Sequence, residues 1–228
     1  IRIIIWIASA SMFMVFALAL ALQPSEKEEK KKESEMALSR KWVNAQLLFL
    51  LACVTLVSAG GTTIWNFYSL YMKENGASAS LVGFGLSLQG LCELPFFYFS
   101  ARILLRLGIR TTLLITVTAT ALRLLLYSAV TYPPAAIPIE LLHGISWSLF
   151  WVACVEYVNR LVPAHRMATG QSLLYAAYYG AGAIAGNFWT GWLSDQQMRY
   201  SAIFSWNAFF VGGVALLIFL FMKKEPAT

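Results

Sequence analysis

Residues 80–131 read SLVGFGLSLQGLCELPFFYFSARILLRLGIRTTLLITVTATALRLLLYSAVT. Two apolar runs, 80–104 and 109–131, flank the basic turn LRLGIR, and each suffices to cross the hydrocarbon core of a bilayer, which takes about 20 helical residues. Away from the ends of these runs the ionisable residues are Glu93 and Arg123. Working outward, similar runs lie at 3–22, 43–72, 136–158, 168–193 and 201–222, so seven membrane helices are expected. The whole chain agrees: 228 residues are 59% hydrophobic and 12% charged, about half the charge of a soluble domain. Mean hydropathy is +0.65.

Charge is unevenly spread. Of 17 Lys+Arg and 11 Asp+Glu, eleven fall between Glu26 and Lys41 in a mixed-charge stretch that cannot bury itself and reads as a solvated linker. Pro24 ends the run before it. Residues 1–22 therefore stand apart from a bundle over 43–228, with 23–42 as the linker. A secretory signal is the alternative reading of 3–22, but the run is longer than a usual signal core and the chain opens on Ile1, which points to a fragment. The loops inside the bundle are short, so successive helices are antiparallel neighbours. Taking the linker as one side, thirteen basic residues fall there, among them Lys30, Arg106, Arg160 and Lys224; three, Arg2, Lys73 and Arg199, fall on the other. The positive-inside bias puts linker and C-terminus in the cytoplasm.

Several classes are excluded. Cys53, Cys92 and Cys154 sit singly in apolar runs, so no disulfide framework, zinc site or other metal site is expected. The basic balance would suggest nucleic acid only if it gathered on one accessible face; here it caps helices, and no nucleic-acid partner is expected. There is no HExxH, GxSxG or Walker loop, and Asp195, the one Asp, belongs to a loop. No enzyme activity and no cofactor are expected.

Ionisable groups at bilayer depth are costly and default to function. Glu93, Arg123, Glu140 and His143 lie there. Counted from the turn near 107, Glu93 and Arg123 lie at roughly 21 and 24 Å; His143 shares their layer, and Glu140 lies a turn nearer the outside. Two readings stay open. Glu93 and Arg123 form a structural ion pair, or the four residues form a proton and solute site. The second gains from Glu140, His143 and Trp147 recurring on one helix face, from Gln89 one turn from Glu93, and from histidine titrating near neutrality. Gly60 and Gly61 before TTIWNFY, and Pro95 after Glu93, interrupt helices at mid-membrane, which marks binding sites in transporters. The alternative for each is a packing glycine or a harmless kink. The glycines of YYGAGAIAGNFWTG are read as close helix packing, and Glu156 with Arg160 as a surface pair.

YMKENGASASLVG, SARILLRLGIR, VPAHRMATGQ and GNFWTGWLSD, with ELPFFYFS, ALRLLLY and ELLHG, resemble the second half of a major facilitator superfamily transporter, starting at the sixth of twelve helices. ELPFFYFS, ALRLLLY and ELLHG are similar to the branch of lactose-permease-like, nucleoside and phenylpropionate proton symporters. The resemblance implies an all-α membrane protein, a six-helix C-terminal bundle preceded by one extra transmembrane helix. In the galactoside members Glu93, Arg123 and His143 match the acid, Arg and His positions. Glu140 stands where that branch has a basic residue, and Ser146 where it has the proton-binding Glu, so the coupling role moves to Glu93 or Glu140.

The function implied is secondary active transport of a small polar organic solute by proton symport, with two halves rocking about a midplane site. Trp65, Asn66, Tyr68, Gln89 and Trp147 are the expected solute contacts; Glu93, Glu140 and His143 exchange the proton, and Arg123 holds an acid ionised. The partners are solute, proton, lipid and the missing N-terminal helices, without which access cannot alternate. A transporter-fold receptor or scaffold, or an ion-independent uniporter, is the rival.

Overall fold

The computed structural model describes residues 42–222, together with Phe13, Met14 and Ala17, which are helical. The expected helix 3–22 otherwise lies outside the described residues, as do most of the linker and the C-terminal Lys223 and Lys224. The chain divides at Trp42, and the second unit holds the bundle.

The first four spans of the bundle each begin or end where the sequence supplies a cap or breaker. α1, Ala45–Glu74, starts at Asn44, whose side chain accepts from the Leu47 N–H at 2.8 Å and so satisfies a backbone donor that a helix start leaves free. It ends at Gly76, with φ +83°. α2, Ala79–Leu107, starts at Ser78, which caps Leu81 at 3.2 Å. A single residue, Gly108 at φ +74°, joins α2 to α3, Ile109–Ser128. Glycine enters that conformation at no steric cost.

α4 is bent. Pro133–Glu140 and Gly144–Leu161 meet at 43° across Leu141–His143. Pro138 has no N–H to give the preceding turn, and Leu141 and Leu142 tighten onto the carbonyls of Pro138 and Ile139. α5 runs through Met167–Tyr175, Ala176–Gly182 and Ala183–Asp195, and α6 is Tyr200–Phe221. Among the described residues four helices, α1, α2, α3 and α6, are long and apolar enough to cross a membrane, and bent α4 makes a fifth. The sixth expected span, α5, is helical throughout but diluted by glycine, tyrosine, Gln171 and Asn187.

α6 packs most extensively on α3, α1 lies against α5 and α6, and the middle of α4 lies against α2 and α3. A Cβ on Gly182 would run into Ser58 and the Thr55 carbonyl, and one on Gly186 into the backbone of Ala59. These glycines do bring α5 onto α1. The surface pair Arg160–Glu156 forms at 2.9 Å.

The helix interruptions differ from expectation. Pro95 sits inside an unbroken α2, and Gly60 and Gly61 lie within regular helix. The departures are the bend in α4 and three π-helical turns, Thr63–Phe67, Gly144–Leu149 and Ala176–Gly182.

Candidate functional site

A π turn holds one residue more than an α turn, so the side chains after it are rotated relative to those before it, and such turns recur at functional sites. Here all three face one cavity of about 370 Å³. The first supplies Trp65 and Asn66, the second Trp147, and the third Tyr178 and Tyr179. Ser58, Thr62 and Ala183 complete the wall beside them, and Glu93 enters from α2.

The rings form one surface. Trp65 meets Trp147 edge-on at 4.9 Å between centroids, Trp147 lies 5.2 Å from Tyr178, and Tyr178 lies 4.9 Å from Tyr179. Asn66 donates to Asn187 Oδ1 at 2.8 Å, tying α1 to α5 at the rim. Ser58 donates to the Tyr178 carbonyl at 2.7 Å deeper in.

Behind this wall runs a chain of polar groups. Glu140 is fully buried; its Oε2 takes Arg123 Nη2 at 2.7 Å and Gln89 Nε2 at 2.7 Å. Arg123, 2% exposed, also donates to Tyr127 at 3.2 Å. Its Nη1 lies 2.7 Å from His143 Nδ1, and His143 Nε2 lies 2.8 Å from Glu93 Oε1. A guanidinium donates and accepts nothing. Nδ1 is therefore the acceptor, and Nε2 carries the proton that points at Glu93. The chain runs from the buried Glu140 through Arg123 and His143 to Glu93, which is 26% exposed and opens on the cavity.

The local sequence explains this closeness. His143 ends the break in α4, and the next residue, Gly144, could not carry a Cβ without striking Phe96 and the Cys92 carbonyl. Glycine there lets α4 close on α2 where His143 must reach Glu93.

The four ionisable residues expected to meet do meet, but in a different pairing. Glu93 and Arg123 are not a direct pair, because His143 stands between them and Glu140 takes the guanidinium. Matched depth along two helices sets height, not azimuth, and the azimuth favoured Glu140. Of the five expected solute contacts, Trp65, Asn66 and Trp147 line the cavity. Gln89 and Tyr68 stand behind it, Gln89 holding Glu140 and Tyr68 buried at 1% exposure. Sequence reasoning missed Ser58, Thr62, Ala183, Tyr178 and Tyr179. The adjacent tyrosines of YYGAGAIAG were the available signal, masked by the packing role of the glycines beside them.

Residues 1–208 match the MFS_1 like family. The chain belongs to that family. Among relatives of this MFS_1 like protein, the major facilitator superfamily domain-containing protein 6-like of Homo sapiens is 30% identical over 185 residues, covering 81% of this chain and 30% of the relative. An uncharacterized transporter of Bacillus subtilis is 24% identical over 159 residues, covering 70% and 40%. A probable 3-phenylpropionic acid transporter of Escherichia coli is 30% identical over 108 residues, covering 47% and 28%. The crystal structure of a mutant of the nucleoside transporter NupG superposes with a TM-score of 0.70 at 17% identity, covering 79% of this chain and 49% of that one, a likeness of fold. The chain spans less than half the length of these relatives. With this membership and its long apolar helices, it is a multi-pass integral membrane protein of the major facilitator fold.

Proposed function

We propose that the whole protein is a secondary transporter that couples a small polar organic solute to proton movement by alternating access, as a symporter where the solute arrives uncharged. One observation carries this reading: a hydrogen-bonded chain of buried charge ends on a single acid, Glu93, in the wall of an aromatic cavity. Arg123 and Glu140 cancel one another, and the neutral imidazole of His143 adds no charge. An ionised Glu93 therefore leaves one negative charge facing the cavity, and binding a proton removes it. Water-poor surroundings make that charge costly unless compensated, so the loaded cavity can cross between faces only with the charge neutralised.

Trp65, Asn66, Trp147, Tyr178 and Tyr179 contact the solute in this reading. Glu93 replaces Glu140 as the proton carrier, because Glu140 is sealed and already holds Arg123 and Gln89. The linker and C-terminus face the cytoplasm, where most of the basic residues collect. The second half of the cavity wall comes from helices outside this chain, and rocking of the two halves moves the site between faces. Uptake by full-length protein in vesicles, with and without a pH gradient, tests the coupling. Flux that ignores the gradient at every imposed pH difference rejects it.

A further inference from the structure

The cavity has a charge and a surface, and together they say more about the solute than that it is small and polar. Among the described residues, Glu93 is the one charged residue in its wall, and an aromatic surface of Trp65, Trp147, Tyr178 and Tyr179 continues from it. Carboxylates with aromatic faces are what a positive centre seeks, since a ring quadrupole presents its negative face to a cation. The nearest positive group is withheld from the cavity. Arg123 is 2% exposed, engaged by Glu140, His143 and Tyr127, and borders a cleft of about 20 Å³ behind Trp65 and Trp147. Among the described residues, an anionic solute would find Glu93 and no cation on this half of the wall.

We infer that the solute is an organic cation, a compact body with an ammonium-type positive centre, and that it exchanges with the proton instead of travelling beside it. The inference rests on the proton-coupled reading and sets its direction. One carboxylate can be neutralised by a proton or by an ammonium centre, and the two exclude each other. A proton leaves for each monovalent cation that enters, so the exchange moves no net charge.

The groups facing Glu93 are compatible with this competition. From α4 comes His143, its Nε2–H already on Oε1, with Arg123 of α3 and Glu140 beyond it. From α5 come the phenols of Tyr178 and Tyr179. On α2 the neighbour is Cys92. The α1 side offers Trp65, Asn66 and Thr62, none of which titrates. The second carboxylate oxygen of Glu93 has no hydrogen-bond partner among the described residues.

The test compares three probes sharing a benzyl-type ring on purified full-length protein: benzyltrimethylammonium, 3-phenylpropionamide and 3-phenylpropionate, as cation, neutral molecule and anion. Calorimetric titration should detect the cation, with affinity falling as pH is lowered because protons occupy the site. Glu93→Gln should weaken it roughly tenfold or more. In proteoliposomes an acidic lumen should drive benzyltrimethylammonium inward, and a valinomycin-clamped potassium potential should leave that flux unchanged. The pH competition needs no variant, so poor folding of Glu93→Gln does not shelter the inference. Tighter binding of 3-phenylpropionate than of the cation, or cation affinity that is flat in pH, overturns it. Gradient-driven accumulation of 3-phenylpropionamide without cation binding overturns the cation and leaves proton coupling standing. Competitive cation binding with no gradient-driven flux supports the cation and rejects the coupling.

Discussion

Arg123 and Glu140 form an ion pair sealed from solvent, Nη2 to Oε2 at 2.7 Å, with 2% and 0% of the side chains exposed. It joins α3 to the short first limb of α4, beside the 43° bend, and so fixes the position from which His143 reaches toward Glu93. Burying two charges is favourable only when each satisfies the other, and stranding one is far costlier than removing both.

A double-mutant cycle measures this. Glu140→Leu and Arg123→Met should each destabilise the bundle by about 3–5 kcal/mol, and the two changes together should recover most of the loss. Thermal unfolding of the four proteins in one detergent reads it out; additive losses would remove the pair from the account of stability.

Glu93 should separate fold from coupling. It is partly exposed and accepts one hydrogen bond from His143, so Glu93→Gln is expected to cost under about 1.5 kcal/mol of stability. The same change should abolish gradient-driven accumulation while solute exchange across the membrane persists once solute is raised to offset the weaker binding, since exchange requires binding and rocking but no net proton release. Accumulation and exchange measured side by side decide; accumulation at the parent level would return the proton to another group.

Gly144 makes a steric prediction. Any Cβ there meets Phe96 and the Cys92 carbonyl, and backbone cannot yield as a side chain can. Gly144→Ala should cost about 1–3 kcal/mol and push His143 away from Glu93, lowering transport more than expression. Gly180, whose Cβ direction is open, is the control: Gly180→Ala should leave stability within about 0.5 kcal/mol.

Topology can be checked on single-cysteine variants in a background without Cys53, Cys92 and Cys154. Lys73→Cys and Arg199→Cys should react with an impermeant maleimide from one side of the membrane, and Lys30→Cys and Lys224→Cys from the other. Labelling of positions 73 and 30 from the same side would overturn the orientation drawn from the basic residues.

Membrane class, the helical runs of the bundle and the four ionisable residues at mid-depth were all legible from residue types and one-dimensional counting. Hydrocarbon tolerates no unsatisfied backbone, so an apolar run long enough to span must be a helix, and an acid or a histidine inside one is conspicuous because it is expensive. The packing glycines of α5 could be read the same way. Spacing along α4 also picked out Trp147, and the polar-aromatic stretch after Gly60 and Gly61 picked out Trp65 and Asn66; all three line the cavity.

Partner choice was not legible. Glu93 and Glu140 both lie within reach of Arg123 by depth, and the rotation of α4 about its own axis decides between them. That rotation follows from the bend at Leu141–His143, set locally beside Pro138, and from the contact of Gly144 with α2, a product of packing between helices far apart in sequence. The π turns belong to the same class. No residue in TIWNF, GISWSL or AAYYGAG demands an extra residue per turn, and neighbouring helices stabilise it by accepting the side chains it redirects. The chain by itself determined what must be buried in lipid and which polar groups would be trapped there, because both depend on composition along a line. Only the tertiary structure decided that Glu140 is the pinned acid and Glu93 the one facing the cavity, because that depends on angles between helices, which close packing sets and sequence distance does not.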